Sequence, residues 1–193
     1  MFEELKKAIV VFTQKYINQL SKAEKDKNNL YIEIEKLIET NNFQNYDELK
    51  ENLIEYIKSR YMVETEPKND IREFLEKLKA KGIKMGIATA TGEPALEAVM
   101  TKYDMLHYFS VIYSTYTVGA SKTESKVYDV VLNELGTDKE TTWVFEDALY
   151  AAKTAKANGY NVVGIYDKSE PNQEELKEIV DIYINDYSEL EII

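Results

Sequence analysis

Cysteine is absent from the 193 residues of this chain, and histidine occurs once, at His107. Without cysteine the chain has no disulfide, no thiol nucleophile and no cysteine-based metal cage. A single histidine excludes zinc sites built from several histidines and disfavours a catalytic triad that contains one.

The chain has fewer basic than acidic residues and no long apolar run. It carries 35 acidic and 24 basic residues, which gives a net charge of −11. This balance disfavours nucleic acid as the main partner, and we expect a soluble cytoplasmic protein. No apolar run approaches membrane-spanning length, and the first residues lack a signal-peptide pattern, so no membrane partner is expected. The sequence does not indicate an oligomeric state.

The pattern of apolar residues changes near Pro67. Before it, apolar residues recur at helical spacing in three segments, at residues 2–20, 30–38 and about 47–57. After it, short apolar runs alternate with helical segments, which predicts a mostly parallel sheet covered by helices. We therefore predict an α/β protein with a helical region at residues 1–66 and an α/β core at residues 67–193.

The periodicity and the glycine positions also predict where the elements of the core begin and end. The predicted strands are 83–88, 111–113, 142–145, 161–165 and 182–184. The predicted helices are 70–80, 93–102, 125–135, 148–158 and 173–180.

Two adjacent carboxylates, Glu146 and Asp147, follow the predicted strand that ends at Phe145. In open α/β sheets, ligands bind outside the carboxyl ends of the strands. Neighbouring acids repel each other and resist burial unless a cation joins them. Mg²⁺ is the cation that such hard oxygen ligands favour. The alternative is a solvated helix start with Asp147 as its N-cap.

Two further segments are predicted to meet this acid pair at the same edge of the sheet. Hydroxyls and free backbone N–H groups in Ile87–Gly92 suit a phosphate, although Thr91 could simply cap the next helix. Lys122, in a polar loop before a helix, could balance phosphate charge, although it could equally be a solvated surface lysine.

Taken together, these segments resemble the haloacid dehalogenase (HAD) superfamily, in its β-phosphoglucomutase-like branch. The resemblance covers residues from about Pro67 to Leu190 and depends most on Gly82–Thr91, Lys122 with Tyr128, and Val144–Ala148. Ser125 departs from it, because the family usually has proline there. The resemblance implies a HAD-like Rossmannoid parallel sheet with a small helical cap.

The resemblance also implies roles for individual residues. Thr89, Ala90 and Lys122 would bind phosphate, with Lys122 also a catalytic residue, and Asp147 with Glu146 would hold Mg²⁺. The implied function is that of a Mg²⁺-dependent phosphatase or phosphomutase that acts on a small phosphorylated metabolite.

One family motif is not found. The family begins with a strand that ends in Asp-x-Asp-Gly-Thr, and no Asp-x-Asp-Gly occurs in this sequence. In one explanation Ala8–Phe12 is that strand, with Thr13 in place of the nucleophile and Lys15 in place of the acid/base. In the other the chain starts after the motif, and the sheet lacks its central first strand. The helical periodicity of residues 2–20 favours the second.

Either explanation predicts a hydrolase that is impaired or inactive, because a neutral threonine cannot form an acyl phosphate. Loss of a nucleophile can remove on the order of 10⁶ in rate. Two other functions remain open. The chain could be a non-catalytic module of the same fold that binds phosphate or a protein, or a fragment completed by a strand from another chain.

Overall fold

The structure is a computed structural model that describes residues 46–190. The helices predicted at 2–20 and 30–38, and the segment Ala8–Phe12, lie outside the described residues. The helices are α1 Tyr46–Glu64, α2 Ile71–Ala80, α3 Glu93–Lys102, α4 Thr115–Val118, α5 Lys126–Leu135, α6 Leu149–Ala157 and α7 Gln173–Ile179. The strands are β1 Gly86–Thr89, β2 Val111–Ser114, β3 Trp143–Glu146, β4 Asn161–Ile165 and β5 Ile182–Ile184, and two 3₁₀ turns are Leu106–Tyr108 and Tyr187–Glu189.

All strand pairings in the described residues are parallel, which confirms the predicted α/β class. β1 pairs with β2, with Gly86 opposite Val111, and β3, β4 and β5 form a second sheet in that order. Within residues 46–190 no strand joins β1 to β3. The prediction that the sheet lacks its central first strand stays a prediction, because residues 1–45 lie outside the described residues.

The first strand begins later than predicted, at Gly86 rather than at residue 83. The backbone N–H of Ile83 donates to the carbonyl of Leu78 in α2, and that of Gly82 donates to Lys79. Gly82 has a φ of 70°, a conformation that glycine adopts without strain. Residues 82 and 83 therefore belong to the turn that closes α2, and the extended chain starts after them.

An apolar core lies between strands β3 and β4 and helices α5 and α6. Its buried side chains come from α5, α6, β4, α7 and the residue before β4, and Val144 of β3 packs against them: Val127, Tyr128, Leu149, Ala152, Ala155, Tyr160, Val162 and Leu176. The alanines let α6 lie close to the sheet. This core holds the carboxyl end of β3 in place, where the two acids emerge.

Helix α1 belongs to the helical region predicted before Pro67. Hydrogen bonds join its C-terminal end to the α/β region. Lys102 in α3 donates to the carbonyl of Met62 at 2.7 Å, and the Tyr103 hydroxyl donates to the carbonyl of Thr65 at 3.1 Å. The Tyr61 hydroxyl lies 3.3 Å from that of Thr91, in the loop after β1. The division into residues 1–66 and 67–193 stays a prediction.

An apolar groove of about 640 Å³ separates the two sheets. β1 and β3 form its sides, and helices α2 and α5 also line it. Trp143 stands in it at the start of β3 and is 45% exposed.

None of the helices in the described part of the chain is long and apolar enough to cross a membrane.

The packing of β1 against α5 generates a stability prediction at Gly86. A Cβ there would lie 2.6 Å from Cγ1 of Val131 and 2.8 Å from Cγ2 of Val111. Gly86→Ala should therefore lower the free energy of unfolding in urea by about 2 kcal/mol. Gly164→Ala in β4 is the matched control. Its nearest contact is 3.0 Å, so a change of less than about 1 kcal/mol is expected. Equal losses at the two sites would contradict this packing.

Candidate functional site

The carboxylate of Glu146 is buried at the end of β3 and is only 4% exposed. The Lys122 ammonium forms an ion pair with Oε1 of this carboxylate. The Tyr128 hydroxyl donates to the same oxygen at 3.0 Å. The lysine side chain is itself 13% exposed, so the alternative of a solvated surface lysine does not hold. The structure therefore brings together two of the predicted site residues, Lys122 and Glu146.

The loop that carries Lys122 is fastened at both ends. Gly119 ends α4 in the left-handed conformation, and the N–H of buried Ala120 donates to the carbonyl of Thr115 at 3.1 Å. Tyr128 follows in the first turn of α5. Burial, and then the charge of Glu146, raise the pKa of its phenol, so Tyr128 remains a proton donor toward the carboxylate. In the sequence analysis Tyr128 only marked the spacing from Lys122, and its hydrogen bond to Glu146 was not predicted.

Asp147 lies one residue further on and is partly exposed. It is not the N-cap of α6, because Ala148 occupies that position without a side-chain bond. A different acid, Glu170, accepts a hydrogen bond from the N–H of Leu149 at 2.9 Å. Tyr187 also lies near the two acids. Burial, followed by the charges of Asp147 and Glu146, raises the pKa of its phenol.

The predicted phosphate loop follows β1 directly. The Thr89 hydroxyl accepts a hydrogen bond from the N–H of Thr91 at 2.9 Å, which folds the loop tightly around Ala90. Gly92, not Thr91, is the N-cap of α3, so the simple capping alternative for Thr91 is wrong. Convergence of Thr89 and Ala90 with Lys122 stays a prediction.

A further acid at the carboxyl end of β4, Asp167, was missed in the sequence. Lys68, from the linker between α1 and α2, donates to it at 2.7 Å, and the Ser169 hydroxyl also donates at 2.7 Å. Burial alone would raise the pKa of Asp167, but the hydrogen bonds from Lys68 and Ser169 outweigh burial and lower it to about 2. Lys68 and Asp167 are 99 residues apart, so no local pattern reveals this pair.

The described carboxylates fit a metal ion only in part. Within residues 46–190 no group of three or more histidines, aspartates or glutamates is placed to hold one. Lys122 and Tyr128 already occupy Oε1 of Glu146. Mg²⁺ often takes one or two protein carboxylates, with waters and substrate phosphate as its other ligands. Asp147 and the second oxygen of Glu146 could supply such a set.

Removal of the lysine should show how strongly the buried pair is coupled. Lys122→Met leaves the Glu146 carboxylate buried without its cation and should cost roughly 3 kcal/mol in free energy of unfolding. Adding Glu146→Gln to that variant should recover at least half of the loss. Lys126→Met, at an exposed lysine four residues along, is the control and should change stability by less than about 0.5 kcal/mol. If the losses in free energy of unfolding caused by Lys122→Met and by Glu146→Gln, each measured in urea, simply add in the double variant, the two side chains are not coupled.

The lowered pKa of Asp167 predicts a pH dependence. A carboxylate with a pKa of about 2 in the folded state and about 3.9 in the unfolded state stabilises the fold above pH ~4. That contribution is lost as the pH falls through 2. Both partners are partly exposed, so Lys68→Met should cost only about 1 kcal/mol at pH 7. The difference from the parent should shrink toward pH 2 in urea titrations. A difference independent of pH would exclude the ion pair as its cause.

The sequence matches known proteins over most of its length. A family model described as haloacid dehalogenase-like hydrolase matches residues 3–165. A curated relative, "Phosphorylated carbohydrates phosphatase" of Thermotoga maritima, is 33% identical over 89 residues. That match covers 46% of this chain and 41% of the relative, so the chain spans about two fifths of that protein.

Solved structures share the fold. CbbY from Rhodobacter sphaeroides, in complex with phosphate, matches with a TM-score of 0.65 at 23% identity, over 75% of this chain and 65% of that one. A putative β-phosphoglucomutase from Thermotoga maritima matches with a TM-score of 0.63 at 22% identity, over 93% and 88%. With a family match that spans most of its residues and with this parallel fold, the chain belongs to the haloacid dehalogenase-like hydrolase family.

Proposed function

We propose that this chain descends from Mg²⁺-dependent phosphatases or phosphomutases that act on small phosphorylated metabolites, and that its own hydrolytic step is impaired. The observation that carries the proposal is the buried ion pair of Lys122 with Glu146, next to Asp147 at the carboxyl end of β3. A lysine and two acids at a strand end provide the charges that phosphate and Mg²⁺ require.

Lys122 is the group best suited to bind the phosphate. An ammonium has three N–H donors, and Glu146 accepts one of them, which leaves others for phosphate oxygens. The Thr89 hydroxyl and the backbone N–H of Ala90 would add neutral donors from the loop after β1. The name of the curated relative supports phosphorylated carbohydrates as the substrate class.

Charge decides whether phosphate can bind without a metal. Lys122 is already paired with Glu146, so it does not by itself offset the charge of a bound phosphate. A phosphate dianion at this edge would be repelled unless another cation is present. Mg²⁺ held by Asp147, with help from Glu146, would neutralise this charge and polarise a phosphoryl oxygen. Phosphate binding should therefore depend on Mg²⁺.

The impairment follows from the carboxylates that the chain has. No Asp-x-Asp-Gly motif occurs in the sequence. Glu146 cannot replace the nucleophile, because one of its oxygens accepts from both Lys122 and Tyr128 and its side chain is almost fully buried. Without an activated carboxylate, the rate should fall by on the order of 10⁶.

A second candidate is a non-catalytic module of the same fold that binds phosphate or a protein. The ion pair favours it as well, because Lys122 neutralises Glu146 without any metal. Turnover and metal dependence distinguish the two candidates. For either of them a cytoplasmic location remains a prediction from the acidic composition.

Turnover is the first test. We expect no measurable Mg²⁺-dependent hydrolysis of p-nitrophenyl phosphate by the 193-residue chain. Addition of an N-terminal strand that ends in Asp-x-Asp-Gly-Thr should restore hydrolysis, and Asp147→Asn should then abolish it. If the unaltered chain hydrolyses p-nitrophenyl phosphate rapidly and Asp147→Asn stops the reaction, the hypothesis of impaired hydrolysis is wrong. The chain would then have a nucleophile that was overlooked.

Binding is the second test. Inorganic phosphate, titrated calorimetrically, should bind at least about tenfold more tightly with Mg²⁺ than without, which corresponds to about 1.4 kcal/mol. Asp147→Asn should remove this difference. Asp104→Asn is the matched control, because the Asp104 side chain is 87% exposed at a distant turn, and it should leave the difference intact. Equal binding with and without Mg²⁺ would favour the non-catalytic module.

A further inference from the structure

The two segments that carry the predicted phosphate-binding residues begin at neighbouring strand ends. Thr89 ends β1 and Ser114 ends β2, and the two residues are partners in the pairing of these strands. From Thr89 the chain runs through a short loop into α3, which begins at Glu93. From Ser114 it runs through α4 into the loop that carries Lys122. The strand pairing fixes where both segments begin, so their later parts need another connection.

The side chain of Glu93 provides that connection. The Thr117 hydroxyl, in α4, donates to Oε1 of Glu93 at 2.6 Å. The N–H of Ser114 donates to the same oxygen at 3.3 Å. Ser114 is fully buried, and a buried N–H needs an acceptor. A hydrogen bond to a carboxylate is also stronger than one between neutral groups. One oxygen of Glu93 therefore joins the end of β2 and α4 to the start of α3.

The position of α4 depends on these hydrogen bonds. The Ser114 hydroxyl accepts from the N–H of Thr117 at 3.1 Å, and the two hydroxyl oxygens are also 3.1 Å apart. Because the Thr117 hydroxyl donates its single proton to Glu93, the Ser114 hydroxyl donates to the oxygen of Thr117. A helix of four residues is not stable by itself. This chain of hydrogen bonds, which ends at Glu93, holds it in place.

The connection from α4 to Lys122 is short. Gly119 ends α4 in the left-handed conformation, and the N–H of buried Ala120 donates to the carbonyl of Thr115 at 3.1 Å. Only Ser121 separates Ala120 from Lys122. A displacement of α4 therefore displaces the backbone of Lys122.

We propose that Glu93 is a positioning residue, which holds the Lys122 loop at a fixed distance from the loop after β1. It thereby sets the spacing between the two groups of phosphate donors. Glu93 acts through the hydrogen bonds that it accepts and not through its charge, because a negative charge does not attract phosphate. The proposal rests on the proposed function where it takes Lys122 as a phosphate-binding group.

Chemical labelling of lysines tests the positioning without any ligand. The Lys122 side chain is 13% exposed and paired with Glu146, so it reacts with an acylating reagent only when its loop opens. Glu93→Ala removes the acceptor and should raise the labelling rate of Lys122, measured by mass spectrometry, by about fivefold. Thr117→Val removes a donor from the other side and should give a similar rise. The double variant should add little to either, because both changes break the same hydrogen bond.

Glu93→Gln separates hydrogen bonding from charge, because the amide oxygen still accepts. It should keep the labelling rate of Lys122 within about twofold of the parent. Glu97→Ala, at an exposed position one turn along α3, is the matched control and should have no effect. Lys84, which donates to the carbonyl of Leu135 at 2.8 Å, reports general loosening of the fold and should keep its rate. If Lys84 and Lys122 are accelerated equally in Glu93→Ala, or Lys122 is not accelerated, the proposal is overturned.

Phosphate binding separates a failure of this proposal from a failure of the proposed function. Inorganic phosphate, titrated calorimetrically with Mg²⁺ present, should bind about fivefold more weakly to Glu93→Ala than to the parent, and within about twofold of the parent to Glu93→Gln. If the parent binds no phosphate, the proposed function fails, and the labelling rates alone decide whether Glu93 positions Lys122. If the parent and Glu93→Ala bind phosphate equally well, the proposal is overturned. A weaker affinity with an unchanged labelling rate of Lys122 overturns it as well.

Discussion

The buried carboxylate of Glu146 is the constraint around which this edge of the protein is arranged. A carboxylate on a residue that is 4% exposed needs a counter-charge and hydrogen bonds to offset the cost of burial. Lys122, in the loop after α4, supplies the counter-charge. Tyr128, in the first turn of α5, donates a hydrogen bond. The loop after α4, the start of α5 and the end of β3 are thereby held in one arrangement. The position of Asp147 follows from theirs.

The same arrangement explains why the edge can keep a site although the motif of the nucleophile is not found. Lys122 compensates the charge of Glu146 within the protein, so two neighbouring acids can persist without a metal. Asp167 and Lys68 repeat this arrangement at the end of β4. Each acid is paired with a lysine distant in sequence, and each pair joins a loop to a strand end.

Sequence reasoning recovered the features that depend on local chemistry. α3, β4 and β5 have the predicted bounds, because Gly92, Gly159 and short apolar runs mark their limits. Lys122 and Glu146 were expected near one another, because the carboxyl ends of parallel strands share an edge. The short helix α4 was not predicted. It is only four residues long and depends on the Ser114 hydroxyl, which accepts from the N–H of Thr117. The ion pair of Lys68 with Asp167 and the bond from Leu149 to Glu170 were missed because they join distant segments.

The tryptophan at the groove has a practical consequence. Trp143 is the single tryptophan of the chain and stands at the start of β3, about half exposed within the groove. An indole is an intrinsic fluorophore whose emission shifts to shorter wavelength when water leaves its surroundings. The protein thus carries one native optical reporter, and it is placed where the two sheets face each other. Its emission is therefore expected to follow the hydration of the groove.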